Sequence, residues 1–129
     1  MESAYVWYGR QYDLLPNIGF NMRLYHNPRC SKSRQAVALL QQQGADFEDY
    51  RYLEKGISPG DMSILLELSD VIRLNDISDK SEYNLSQKNE IQRLLQIEPK
   101  ALQRPILIHN GKAVIGRPPE DILTLLHES

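Results

Sequence analysis

Ile106-Leu107-Ile108-His109-Asn110-Gly111-Lys112-Ala113-Val114-Ile115 is the stretch that decides the fold. Ile106 to His109 is a short apolar run rich in β-branched residues, which reads as a strand. Asn110-Gly111 follows at once, and this pair suits the two left-handed positions of a tight hairpin turn. Ala113-Val114-Ile115 is then the returning strand, so these two strands are antiparallel.

Upstream, the pattern differs. Residues 23–26 alternate and end at Asn27-Pro28, a strand running into a turn. Ser31 or Ser33 can cap the helix that follows, Ala36, Val37, Leu39 and Leu40 give it an apolar face, and Gly44 suits its end. Residues 47–53 alternate aromatic and charged side chains and suit a second strand. A strand, helix, strand order of this length implies a right-handed crossover and a parallel pair. Ser58-Pro59 opens another helix, with Met62, Leu65, Leu66 and Leu68 as its packing stripe. Residues 70–84 are polar and irregular, anchored by Val71, Ile72 and Leu74, and residues 86–97 are helical through Ile91, Leu94 and Leu95. Gly116-Arg117-Pro118-Pro119-Glu120 turns into a last helix packed by Ile122, Leu123, Leu125 and Leu126. The order βαβ, helices, ββα predicts an α/β fold of thioredoxin-like form. It has a mixed four-stranded sheet flanked by helices on both faces, with a helical insertion.

Composition sets the class. The chain has 129 residues, enough for one domain, and its 41% hydrophobic and 25% charged residues argue against a disordered chain. A net charge of −2 gives no basic field for nucleic acid or an anionic membrane. No run approaches the ~20 apolar residues of a membrane helix. The single cysteine, Cys30, excludes an intramolecular disulfide and an all-cysteine metal site, and no other ligand cluster implies a metal. His109 lies beside the hairpin turn and His127 near the end of the chain, neither close in sequence to a second ligand. Residues 1–21 hold Tyr5, Trp7, Tyr8, Tyr12 and Phe20 without a period and lack the parts of a signal peptide. They read as a leader without an assigned role, or as sequence before a natural start at Met22. Residues 22–129 are then the domain, and the expected location is the cytoplasm.

Cys30 stands between a strand and a helix, where backbone N–H groups and the helix dipole favour an anion. Arg29, Lys32 and Arg34 add positive charge, and together these should populate the nucleophilic thiolate. A buried, inert thiol is the alternative. Cys30-Ser31-Lys32-Ser33 is a CxxC with serine in the second place, so a redox cycle here needs a thiol from outside. Ser33 can donate to the thiolate or cap the helix. His26 can add positive potential or order the loop, the structural role being favoured. Arg104 and Arg117 each precede a proline, which holds them extended, and arginine suits forked binding of a tetrahedral oxyanion. Pro105 is a candidate cis-proline. Asp46, Glu48 and Asp49 read as a solvated strand edge.

Residues 25–34, Tyr25-His26-Asn27-Pro28-Arg29-Cys30-Ser31-Lys32-Ser33-Arg34, resemble the active-site segment of the glutaredoxin-coupled arsenate reductases. Arg104-Pro105-Ile106 and Gly116-Arg117-Pro118-Pro119-Glu120 resemble that family's second and third signatures. The likeness is greatest to its short bacterial members and spans about residues 22–126. It implies a thioredoxin-like fold and Cys30 as the catalytic thiolate. It also implies arsenate or a similar oxyanion as substrate, glutathione as co-substrate, glutaredoxin as partner, and no bound cofactor. Arg104 and Arg117 would hold the oxyanion, with Arg73 in Val71-Ile72-Arg73-Leu74 as the third arginine and His26, Ser33, Arg34 and Pro105 in support. After Arg73 the chain departs from the family's short charged helix. Two other readings share the fold: a thiol oxidoreductase acting on glutathione mixed disulfides, and a thiol-stress transcription regulator that binds RNA polymerase. The regulators typically carry two cysteines where this chain has Cys30 and Ser33.

Overall fold

The computed structural model describes residues 22–126; the leader and His127 lie outside the described residues. Four strands form one mixed sheet among them: β1 (Met22–Tyr25), β2 (Glu48–Tyr50), β3 (Ile106–His109) and β4 (Lys112–Ile115), in the order β2-β1-β3-β4. The pair β1·β2 is parallel, and β1·β3 and β3·β4 are antiparallel. The five helices among the described residues are α1 (Ser31–Gln42), α2 (Tyr52–Lys55), α3 (Pro59–Leu65), α4 (Lys88–Ile97) and α5 (Leu123–Leu126). This is the thioredoxin-like arrangement, with 3₁₀ turns and α4 between α3 and β3 as the insertion.

Alternation along the strands divides the core. Leu24 and Leu107 pair across β1·β3 and face one way, onto Ala36 and Leu40 of α1 and Leu125 of α5. Tyr25, Ile106 and Ile108 face the other way, onto Met62 and Leu65 of α3 and Leu95 of α4. A period of two is what separates these sets, as a strand requires. The hairpin turn follows its sequence: Asn110 has φ 53° and Gly111 φ 75°.

Several boundaries differ from expectation. The second strand is three residues, not seven, because β1 has ended beside it: Tyr25 pairs with Tyr50, and the His26 N–H to Tyr50 carbonyl bond (2.9 Å) is the last backbone link. The chain then turns into α2. The residue at the start of α1 is Cys30 itself, with no side-chain cap, so neither Ser31 nor Ser33 caps that helix. Leu74 is 51% exposed rather than an anchor, and Ile77 is buried instead. The last helix starts late because Pro119 opens a 3₁₀ turn (Pro119–Ile122) ahead of it. Glu48 is less solvated than expected: Arg23 bridges it (2.9 Å) to Asp61 (2.8 Å), and the Tyr25 hydroxyl also donates to Asp61 (2.6 Å), pinning α3 to the sheet.

Gly116 is set by a close approach. A Cβ there would lie 2.9 Å from Pro105 Cγ and 3.0 Å from Ile122 Cγ2. At Gly60, in the first turn of α3, nothing lies within 4 Å of a Cβ. Gly116→Ala should therefore destabilise by about 1–3 kcal/mol, and Gly60→Ala should be neutral or stabilise by up to about 1 kcal/mol. Urea denaturation of both variants beside the parent checks the contrast, and equal effects would refute it.

Candidate active site

The sheet register brings three loops together. Tyr25 ends β1 opposite Ile106, which opens β3, and Ile106 lies opposite Ile115, which ends β4. The loop carrying Cys30, the Arg104-Pro105 segment and the Gly116-Arg117-Pro118 segment therefore leave the same end of the sheet. Pro105 is cis, as the sequence suggested, and Arg117-Pro118 is a second cis bond that it did not. Gly116 N–H donates to the Pro105 carbonyl at 2.8 Å, joining the two proline segments.

Cys30 is half-buried at the N-terminus of α1, whose first turn holds no acidic residue. Burial pushes its thiol pKa up. The backbone N–H groups of Ser33 and Lys32 and the Arg104 guanidinium favour the thiolate and outweigh burial, so the net shift is downward. The charges of Arg29, Lys32 and Arg34, expected from sequence to help, are not among the largest causes of that shift. Arg34 instead donates to the Pro28 carbonyl (2.9 Å) and closes the loop.

The arginines converge. Arg117 Nη2 lies 3.8 Å from Cys30 Sγ while its Nε donates to the Arg104 carbonyl at 2.9 Å. Arg104 Nη1 contacts Asp76 Oδ2 at 2.9 Å, and Arg73 Nε is 3.3 Å from the same oxygen. Burial disfavours the Arg104 charge, but Asp76, Tyr52 and Cys30 outweigh it, so the guanidinium stays protonated. Arg73 is drawn in because its segment pairs with the chain leading to Arg104: Arg73 N–H donates to the Ala101 carbonyl (2.8 Å), and Gln103 N–H to that of Val71 (2.7 Å). Arg73 and Arg104 thus share the Asp76 carboxylate, while Arg104 and Arg117 lie toward the Cys30 thiol.

His26 and Ser33 are both buried. Burial lowers the His26 pKa first of all, favouring neutral imidazole, so it adds little positive potential near the thiol. Ser33 Oγ accepts the Asn27 N–H at 3.1 Å, and it is the serine's backbone N–H that favours the thiolate. Sequence reasoning missed Asn27, whose Oδ1 accepts the Arg29 N–H at 3.0 Å, although Asn before Pro is a turn signal. It also missed Asp76, three residues beyond Arg73, a spacing at which opposite charges meet in a turn. His109 sits at the other end of the sheet, opposite Met22. No group of three His, Cys, Asp or Glu side chains among the described residues could hold a metal ion.

Fold and site together define a thioredoxin-like protein with one half-buried thiol beside an arginine cluster. The ArsC family model matches residues 25–125, and the chain belongs to this family. It is 36% identical over 118 residues to the arsenate reductase of Neisseria meningitidis serogroup A, covering 81% of this chain and 97% of that protein. It is equally identical, at 36% over 118 residues, to the uncharacterized protein YfgD of Escherichia coli K12, covering 81% of this chain and 96% of that protein. Among solved structures it is similar to an arsenate reductase from Vibrio cholerae, with a TM-score of 0.66 and 34% identity, over 80% of this chain and 95% of that one.

The lowered thiol pKa has a measurable consequence. Between the folded and unfolded pKa values the unfolded chain binds more protons at Cys30, so this group's contribution to stability rises with pH through that window and is lost below it. The rate of Cys30 alkylation against pH should have its midpoint below that of an unfolded-chain thiol, and Arg104→Ala should move it upward. A midpoint equal to that of the denatured protein would show an ordinary thiol.

Proposed function

We propose that this chain reduces arsenate to arsenite with electrons from glutathione and glutaredoxin. The observation that carries the reading is the half-buried thiol with Arg117 Nη2 at 3.8 Å and Arg104 and Arg73 gathered on Asp76 beside it. Relatives that share most of the chain are named arsenate reductases.

In the first step the Cys30 thiolate attacks arsenic. A sulfur–arsenic bond forms, and one arsenate oxygen leaves as water after taking protons from solvent. The arginines bind the oxyanion and neutralise charge that builds up on its oxygens. In the second step glutathione thiolate attacks Cys30 sulfur. A disulfide forms, the sulfur–arsenic bond breaks, and its electron pair stays on arsenic, taking As(V) to As(III). Glutaredoxin thiolate then attacks the glutathione sulfur and releases Cys30. An external thiol is required because Ser33 stands where a resolving cysteine would be. The chain binds no resident cofactor in this scheme, and its supply of glutathione and glutaredoxin assigns it to the cytoplasm. No helix among the described residues is long and apolar enough to cross a membrane.

The test is NADPH oxidation in the presence of arsenate, glutathione, glutaredoxin and glutathione reductase. The parent should turn over and Cys30→Ser should not. Arg104→Ala and Arg117→Ala should each lower kcat/KM on the order of a hundredfold. Oxidation with a glutathione mixed disulfide, but none with arsenate, would replace this reading with that of a thiol oxidoreductase.

A further inference from the structure

Four buried side-chain atoms have no hydrogen-bond partner among the described residues: His26 Nδ1, the Tyr52 hydroxyl, Gln103 Oε1 and Arg104 Nε. Of these, the Tyr52 hydroxyl and Arg104 Nε belong to side chains whose charges and dipoles are felt at the thiol and at each other. Tyr52 is wholly buried, and the reaction scheme above gives it no task. It opens α2, which packs against the Pro99–Ala101 turn that leads toward Arg104. Its ring belongs to the same core cluster as Leu102 and Ile106, which flank Arg104 on either side. The charges of Arg104 and Cys30 both reach the hydroxyl, and the Asn27 side chain lies toward it without hydrogen-bond geometry. An unpaired hydroxyl in a core costs stability, and phenylalanine would fill nearly the same space without that cost.

The Arg104 and Tyr52 atoms are complementary, one an N–H donor and the other an oxygen that can accept. Arg104 directs its Nη1 to Asp76 Oδ2 (2.9 Å) and toward the Lys100 carbonyl (3.4 Å) while its Nε stays unpaired. Arg73 touches the same Asp76 oxygen, so that carboxylate keeps a partner if Arg104 turns. An anion held beside Cys30 competes with Asp76 for Arg104.

We propose that Tyr52 is a positioning residue for Arg104: when an oxyanion occupies the site, the guanidinium turns toward it and its Nε–H donates to the Tyr52 hydroxyl. The hydroxyl then fixes the guanidinium in its anion-binding direction without touching the anion itself. This rests on the arginine site of the reading above, but not on arsenate as the substrate.

The test compares alkylation of Cys30 by iodoacetate, which brings a carboxylate to the site, with alkylation by neutral iodoacetamide at the same pH. In Tyr52→Phe the ratio of the two rates should fall at least about tenfold, the loss expected for one hydrogen bond to a charged group. The Tm of the anion-free variant should be no lower than the parent's, since no bond is lost there. In an Arg104→Lys background the same substitution should leave the ratio unchanged. An unchanged ratio in Tyr52→Phe, an equal fall in the Arg104→Lys background, or a Tm several degrees lower would each overturn the proposal. A lowered ratio in a protein that does not reduce arsenate would refute the arsenate reading and leave Tyr52 in its role. Arsenate turnover with an unchanged ratio would do the reverse.

Discussion

The site depends on a register. Tyr25, Ile106 and Ile115 lie in one row across three strands, and each is the residue at which its strand meets the loop it serves. Sliding one strand by a single residue would turn its buried side chains to the opposite face. Leu24 and Leu107 would then meet the wrong helices, so the core itself holds the row in place. The tight Asn110-Gly111 turn fixes the β3·β4 pairing at the far end, and the contact of Gly116 with Pro105 fixes it at the near end. Hydrophobic packing thus sets the distance between a thiol and arginines from segments far apart in sequence.

That convergence has an electrostatic cost, which the surroundings offset. Guanidiniums brought together and partly dried repel one another, and a partly buried cation without partners is unstable. The side chain of Arg104 is only 16% exposed. Asp76 answers two of the three charges with a single oxygen, and backbone carbonyls take further N–H groups: Arg104 O receives Arg117 and Lys100 O receives Arg104. The Cys30 thiol is a further partner: the Arg104 guanidinium favours its ionised form.

Much of this was legible in the sequence because it rests on short-range rules. The hairpin declared itself through Asn110-Gly111, the strand-to-helix placement of Cys30 through Asn27-Pro28 and the apolar face that follows, and Arg104 and Arg117 through their prolines, whereas Arg73 came only from the family resemblance. What was hidden depends on where chains end relative to one another. Residues 47–53 alternate like a strand, yet only three of them pair, because their neighbour stops at Tyr25. Tyr52 then keeps the buried side that the alternation forecast while its backbone becomes helical. Asp76 looked like one polar residue in an irregular stretch; its role comes from the pairing of the Arg73 segment with the chain before Arg104, a long-range contact that no local pattern records.

Ser33 shows how a residue can be misread by analogy with its neighbours in a motif. Its place in Cys30-Ser31-Lys32-Ser33 invites comparison with a resolving cysteine, and its hydroxyl invites a role at the thiolate. The structure gives the hydroxyl to the Asn27 N–H at 3.1 Å, inside the loop that sets the direction of Cys30. Asn27 in turn accepts from Arg29 and from Cys30, through its side chain and its carbonyl. A thiol at position 33 would be larger and a weaker acceptor for that N–H, and so would loosen the loop it was meant to serve. The serine at this position is therefore part of the loop that carries Cys30, through its bond to the Asn27 N–H.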